Sequence, residues 1–252
     1  MEKVLFILSC LFLPFNLPAQ RTETIYLAKG DSTYNYYTAL VPDSASKGLI
    51  VVMGGFCTDP QEVMMETKLP VTACKTGYTV VIPFMVNDCE TIDVDNDYQK
   101  RLETLIPELI RKYKIPDNKF IIGGQSLGRH RALFYAEQAY KINNGTIIKP
   151  NLVFGVDPPL NMKRLWNSFT YGVSIKFSEA SIAEGTEMLR RFTIMYGGSP
   201  AQNPKKYEEV SSFYPEAKDG GNAKYLKTVP VRLYCDPDIN WIIENRRGSF
   251  ET

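Results

Sequence analysis

The apolar positions of this chain fall into short unbroken runs, and longer amphipathic stretches separate them. Leu49-Ile50-Val51-Val52-Met53 is apolar throughout, the pattern of a strand covered on both faces. Tyr78–Pro83, Lys119–Gly123 and Asn151–Val156 read the same way, and Val229–Tyr234 supplies a last strand. Thr24–Leu27 and Tyr34–Val41 predict an antiparallel opening pair turned at Lys29-Gly30-Asp31. Asp59-Pro60 predicts a helix start, as N-cap and first helical residue, with the helix fading near Lys75-Thr76-Gly77. A second helix is expected from Asp97 to Lys114, kinked at Pro107, and a third over Arg129–Tyr140. Strands separated by helices imply an α/β architecture. Its sheet is mostly parallel, with right-handed crossovers and helices on both faces.

Met162 to about Tyr225 breaks this rhythm. The stretch carries Trp166, Phe169, Tyr171, Phe177, Phe192, Tyr196, Phe213 and Tyr214, and it predicts a helical cap inserted at about 162–225. Two readings stay open. The cap is a lid lining an apolar pocket, or it packs only on itself.

Composition narrows the class. The chain has 252 residues, 44% hydrophobic and 12% aromatic, enough for one sizeable core. A net charge of +1 gives no field to attract nucleic acid or an acidic membrane surface. Met1-Glu2-Lys3 followed by an apolar run to Ala19 reads as a signal peptide over 1–19, leaving 20–252 as the domain. That run is short for a membrane span, so no integral membrane association is expected. The protein is expected to be secreted or periplasmic. A lipid anchor at Cys10 is the lesser alternative, because the apolar stretch before it is too short. Cys57, Cys74, Cys89 and Cys235 show no C-x-x-C or metal-type spacing, and neither metal nor cofactor is expected. They are oxidised outside the cell or remain buried thiols.

Gly124-Gln125-Ser126-Leu127-Gly128 stands between the apolar run 119–123 and the helical run from Arg129. Strand, G-x-S-x-G turn and helix together form a nucleophile elbow. The turn lifts Ser126 Oγ out of the sheet at a helix start, where it can attack a carbonyl if a base takes its proton. The bland alternative is a glycine-rich turn whose serine only caps the helix.

With this elbow and this order of elements, the chain resembles the α/β-hydrolase superfamily over roughly 34–245, and is most similar to its secreted bacterial esterase-like members. The motif departs from the usual pattern at Arg129, where many members carry a small residue. The resemblance implies an oxyanion hole from the backbone N–H of Leu127 and of Phe56 or Gly55, in the Gly54-Gly55-Phe56 loop after the third strand. It implies a triad acid in Tyr234-Cys235-Asp236-Pro237-Asp238, with Asp238 selected, and Asp157 and Asp236 as alternatives. It also implies a Cys57–Cys89 disulfide, since both follow neighbouring strands of that sheet.

The base is the difficulty. The resemblance places a histidine after the acid, and the chain's one histidine is His130, on the elbow helix. No eighth strand or final helix is expected beyond Asp238, so the C-terminal end of the fold reads as incomplete. The expectation is an exported serine hydrolase of small-molecule or polymer-attached carboxyl esters, shortened in this chain and weakly active or inactive. A silent binding protein on the same fold, or a peptidase or lipase, are the alternatives.

Overall fold

The computed structural model describes residues 20–27, 35–85, 96–116, 119–141 and 145–247. Within these, seven strands form one sheet: β1 (Arg21–Tyr26), β2 (Tyr36–Val41), β3 (Leu49–Met53), β4 (Thr79–Phe84), β5 (Phe120–Gln125), β6 (Leu152–Val156) and β7 (Val231–Tyr234). Their spatial order is β1-β2-β4-β3-β5-β6-β7. β1, β2 and β4 pair antiparallel, and all pairs from β4 to β7 are parallel.

β3 and β4 are buried at every position. Alternation along β3 divides its side chains between two layers. Leu49, Val51 and Met53 join Tyr98, Leu102, Ala132 and Leu133 in one core. Ile50 and Val52 join Val63, Ala73 and Cys74 in the other. Helices α3 (Asn96–Lys112) and α4 (Ser126–Lys141) cover the first face; α1 (Pro60–Glu66) and α2 (Leu69–Lys75) cover the second.

The helix expected to run from Asp59 to the Lys75 region is in fact two. Asp59 caps α1 through a capping box with Glu62, as its spacing requires. Thr67 is extended and ends α1, and Pro70 sits in the first turn of α2, where a helix needs no N–H from it. α3, by contrast, runs on through Pro107.

The insertion between β6 and β7 holds α5 (Met162–Ile175), α6 (Glu179–Tyr196), α7 (Pro204–Val210) and a 3-10 stretch at Lys218–Leu226. Its aromatic residues form a core of their own. Phe192 lies 5.2 Å from Tyr196 and 5.9 Å from Trp166, centroid to centroid, and Tyr207 closes the group at 5.1 Å from Tyr196. That core also takes in Leu127 and Phe56, which belong to the sheet domain.

The absence of any helix beyond Asp238 is corrected. Asp238 Oδ1 accepts the Trp241 N–H at 2.9 Å and caps α8 (Ile239–Arg246). Among the described residues, no helix is long and apolar enough to cross a membrane, and no group of three metal-ligating side chains gathers. Residues 1–19, with Cys10, and Cys89 lie outside the described residues. Cys57 is disulfide-bonded, whereas Cys74 and Cys235 are free thiols.

Candidate active site

Ser126 joins β5 to α4 directly, with no residue between the elements. Its φ is 49°, in the left-handed region that a residue with a Cβ avoids. The surroundings enforce this geometry. A Cβ on Gly128 would lie 1.9 Å from the Gly54 carbonyl oxygen, and one on Gly124 would lie 2.3 Å from that of Met53. Only glycines let α4 enter this close to β3 and its loop. The turn leaves Ser126 exposed while Leu127, the next residue, is buried.

The Gly54-Gly55-Phe56 loop follows β3 and faces the elbow. A Cβ on Gly55 would stand 3.9 Å from Ser126 Cβ. The loop's far end is fixed by Thr58, whose N–H donates to the Gly55 carbonyl at 3.4 Å. Cys57, in the same loop, also has a positive φ, 54°, and carries the disulfide. The structure therefore sets the loop of Gly55 and Phe56 beside Ser126 and Leu127.

The carboxylates divide into two settings. Asp157 follows β6 with φ 51°, and its N–H donates to the Tyr234 carbonyl at 2.7 Å. Gln125 pairs with Val156 in the parallel register, so Asp157 and Ser126 occupy matching positions at the ends of adjacent strands. Cys235 Sγ donates to Asp157 Oδ1 at 3.4 Å. Partial burial, the Asp157 hydrogen bond and the Asp157 charge together hold the Cys235 thiol above its ordinary range. Asp236 and Asp238 are exposed beyond β7, and Asp238 is engaged as the cap of α8.

Behind Asp157 lies Arg129. Its side chain crosses β6 at Gly155, where a Cβ would fall 1.2 Å from Arg129 Cδ. The hollow left by Gly155 explains how the elbow accommodates a large residue at position 129. Arg129 is fully buried, and its three guanidinium nitrogens make no hydrogen bond. Burial pushes its pKa down to about 9, against the opposing charges of Asp157 and Cys235. The sequence marked Arg129 as a departure but gave no sign of Gly155 as its complement, which lies 26 positions on in the chain.

His130 is completely buried, in the core-facing packing of α4, whereas Ser126 four residues earlier is open to solvent. A cavity of about 690 Å³ opens between α5, α8 and the loop after β6, with Leu160, Leu165, Phe169, Ile242 and Cys235 in its wall. Ser126 is not part of that wall. The cap's aromatics are thus shared: Phe169, Tyr171 and Phe213 face the cavity, while Trp166, Phe192 and Tyr196 pack together.

No protein-family model matches this sequence, and no curated protein matches it. Solved structures do. Esterase B from Lactobacillus rhamnosis is 13% identical, with a TM-score of 0.53 over 86% of this chain and 75% of that one. S-formylglutathione hydrolase from Staphylococcus aureus is 10% identical, with a TM-score of 0.51 over 86% of this chain and 79% of its own. For a fluorophosphonate-binding serine hydrolase of Staphylococcus aureus, 12% identical with a TM-score of 0.45, the match spans 60% of this chain and 61% of that one, under two thirds of its length. Identity at this level speaks for the fold. Together with the strand order, it shows that the chain has the α/β-hydrolase fold.

Proposed function

We propose that this protein is a serine hydrolase of carboxyl esters, with Ser126 as nucleophile. The observation that carries the reading is the left-handed backbone of Ser126 at 49°, held between β5 and α4 by glycine contacts that leave its side chain exposed. A serine that only capped a helix would have extended backbone and no need of that strain. In the proposed reaction, Oγ adds to the ester carbonyl as its proton passes to water, and N–H groups of Leu127 and Phe56 (Gly55 the upstream alternative) hold the oxyanion. Its collapse expels the alcohol with a proton from water, and a second water hydrolyses the acyl-serine to free acid and Ser126. Asp157 is the better placed acid, because it ends the strand beside Ser126, whereas Asp238 is spent on α8. The esterase and hydrolase neighbours support the ester class.

Among the described residues Ser126 has no histidine at the surface beside it to take its proton. His130 is buried away from solvent, so the rate expected for the chain alone is on the order of 10³–10⁴ over water, the residue left when a triad lacks a member. An exported location is part of the proposal. It is supported by the apolar run to Ala19 and by a disulfide at Cys57.

The test is hydrolysis of p-nitrophenyl acetate and butyrate, together with mass analysis after a fluorophosphonate probe. Turnover and adduct should both vanish in Ser126→Ala. If Ser126→Ala changes neither, the fold serves binding instead. If His130→Gln abolishes turnover in a folded protein, His130 is the base.

A further inference from the structure

We propose that the cap positions the oxyanion hole, and that Arg191 of α6 is the positioning residue that clamps Phe56. The proposal rests on the reading of Phe56 and Leu127 as the two backbone donors.

Both of those residues place their side chains in the cap. Leu127 is buried in the core of Phe192, Tyr196 and Tyr207, and Phe56 packs against it from the edge. A donor N–H is aimed by its own residue's backbone, and that backbone is fixed by whatever grips the side chain. Leu127 is gripped from all sides. Phe56 is only half-buried, so one side of its ring needs cover. Arg191 supplies that cover, with its guanidinium carbon 4.8 Å from the ring centroid. Glu187 holds the guanidinium in place, accepting from Arg191 Nε at 2.7 Å, one helical turn earlier. The face of a ring is the negative end of its quadrupole, so a cation laid over it is attracted and also excludes water.

The neighbour Arg190 isolates this effect. It bonds the same Glu187 at 2.8 Å through both Nε and Nη2, but its side chain is 55% exposed and makes no such ring contact among the described residues. The two arginines thus share a helix and a carboxylate and differ in contact with Phe56. The disulfide at Cys57 restrains the other end of the loop, so loss of Arg191 should loosen Phe56 without releasing the whole loop.

The decisive measurement is amide hydrogen exchange in the peptide holding 54–58, which reads the loop whether or not the protein turns over. Arg191→Ala should speed exchange there roughly 5- to 10-fold, the factor corresponding to a partly desolvated cation–π contact. Arg191→Lys, which keeps a cation over the ring, should stay within about 2-fold of the parent. Arg190→Ala should leave exchange at 54–58 unchanged. On p-nitrophenyl acetate, Arg191→Ala should lower kcat by a similar factor at constant KM, because the hole is engaged in the transition state and not in ground-state binding. Equal acceleration by Arg190→Ala, or none by Arg191→Ala, overturns the clamp. If Ser126→Ala leaves turnover intact while the exchange pattern appears as described, the hydrolase reading fails and the clamp on Phe56 stands as a structural fact.

Discussion

β5 with α4 and β7 with α8 are written alike in sequence: a short apolar strand, a tight turn, a helix. In the structure they differ sharply. β5 is paired on both sides, by β3 and β6, and α4 enters with its third residue, Gly128, against the Gly54 carbonyl. β7 pairs with β6 alone among the described strands, and α8 buries none of its residues. Leu233, Tyr234 and Trp241 are 45%, 51% and 48% exposed there. A strand–turn–helix therefore carries no rigidity of its own, and what packs around it decides. The proposed nucleophile sits at the tight end, with its backbone set by neighbours on every side. Asp238 sits at the loose end, set only by the helix it caps.

The comparison can be broken most forcefully at the elbow. Gly128→Ala should cost about 3 kcal/mol, since the added Cβ meets backbone that cannot rotate away. Urea unfolding reads it, and an unchanged midpoint would show that the elbow is as yielding as the β7 end. One step outward, Gly155→Ala should cost about 2 kcal/mol by driving Arg129 from its hollow. Adding Arg129→Ala should recover most of that loss, a coupling that a double-mutant cycle measures directly. Arg129→Met alone should hold or raise stability by about 1 kcal/mol, because it replaces a buried cation without hydrogen bonds by an apolar chain. At the loose end, Asp238→Ala removes a cap worth about 1 kcal/mol to α8. Far-UV circular dichroism should show helix loss while the global midpoint barely moves. A large midpoint shift would mean α8 is integral to the fold. The smallest effect is expected at Cys235. Asp157→Asn keeps an acceptor for the Cys235 thiol but removes the negative charge that helps raise its pKa, so iodoacetamide alkylation at pH 8 should quicken roughly 3-fold. A slower rate would mean that Asp157 exposes the sulfur and does not suppress the thiolate.

Much of the sheet could be read from the chain because its strands are buried on both faces, and unbroken runs such as Leu49–Met53 leave few alternatives. The elbow was equally legible: G-x-S-x-G between an apolar run and a helix admits few geometries, and Ser126 takes the strained one. The break between α1 and α2 was hidden. Thr67-Lys68-Leu69-Pro70 signals a turn only weakly, while the apolar spacing continues across it. α8 was hidden because one carboxylate at Asp238 serves as a triad acid or as a helix cap with the same sequence signal. The division of labour among the cap's aromatics was beyond sequence altogether. Spacing shows that Trp166 and Phe169 lie on one helix, but only the packing shows Trp166 held within the aromatic core and Phe169 bridging that core and the cavity wall.

That private core has a calorimetric consequence. The cap's aromatic cluster is separate from the two cores that flank the sheet, and Leu127 with Phe56 is where it takes hold of the sheet domain. On heating, the insertion can melt as a unit of its own while the sheet remains folded. The calorimetric enthalpy should then exceed the van't Hoff enthalpy, the mark of more than one cooperative transition. The first transition should already free the side chains of Phe56 and Leu127. The turnover proposed for Ser126 should then be lost at a lower temperature than the one at which the sheet unfolds, a gap that thermal inactivation measured beside the calorimetric trace reads directly.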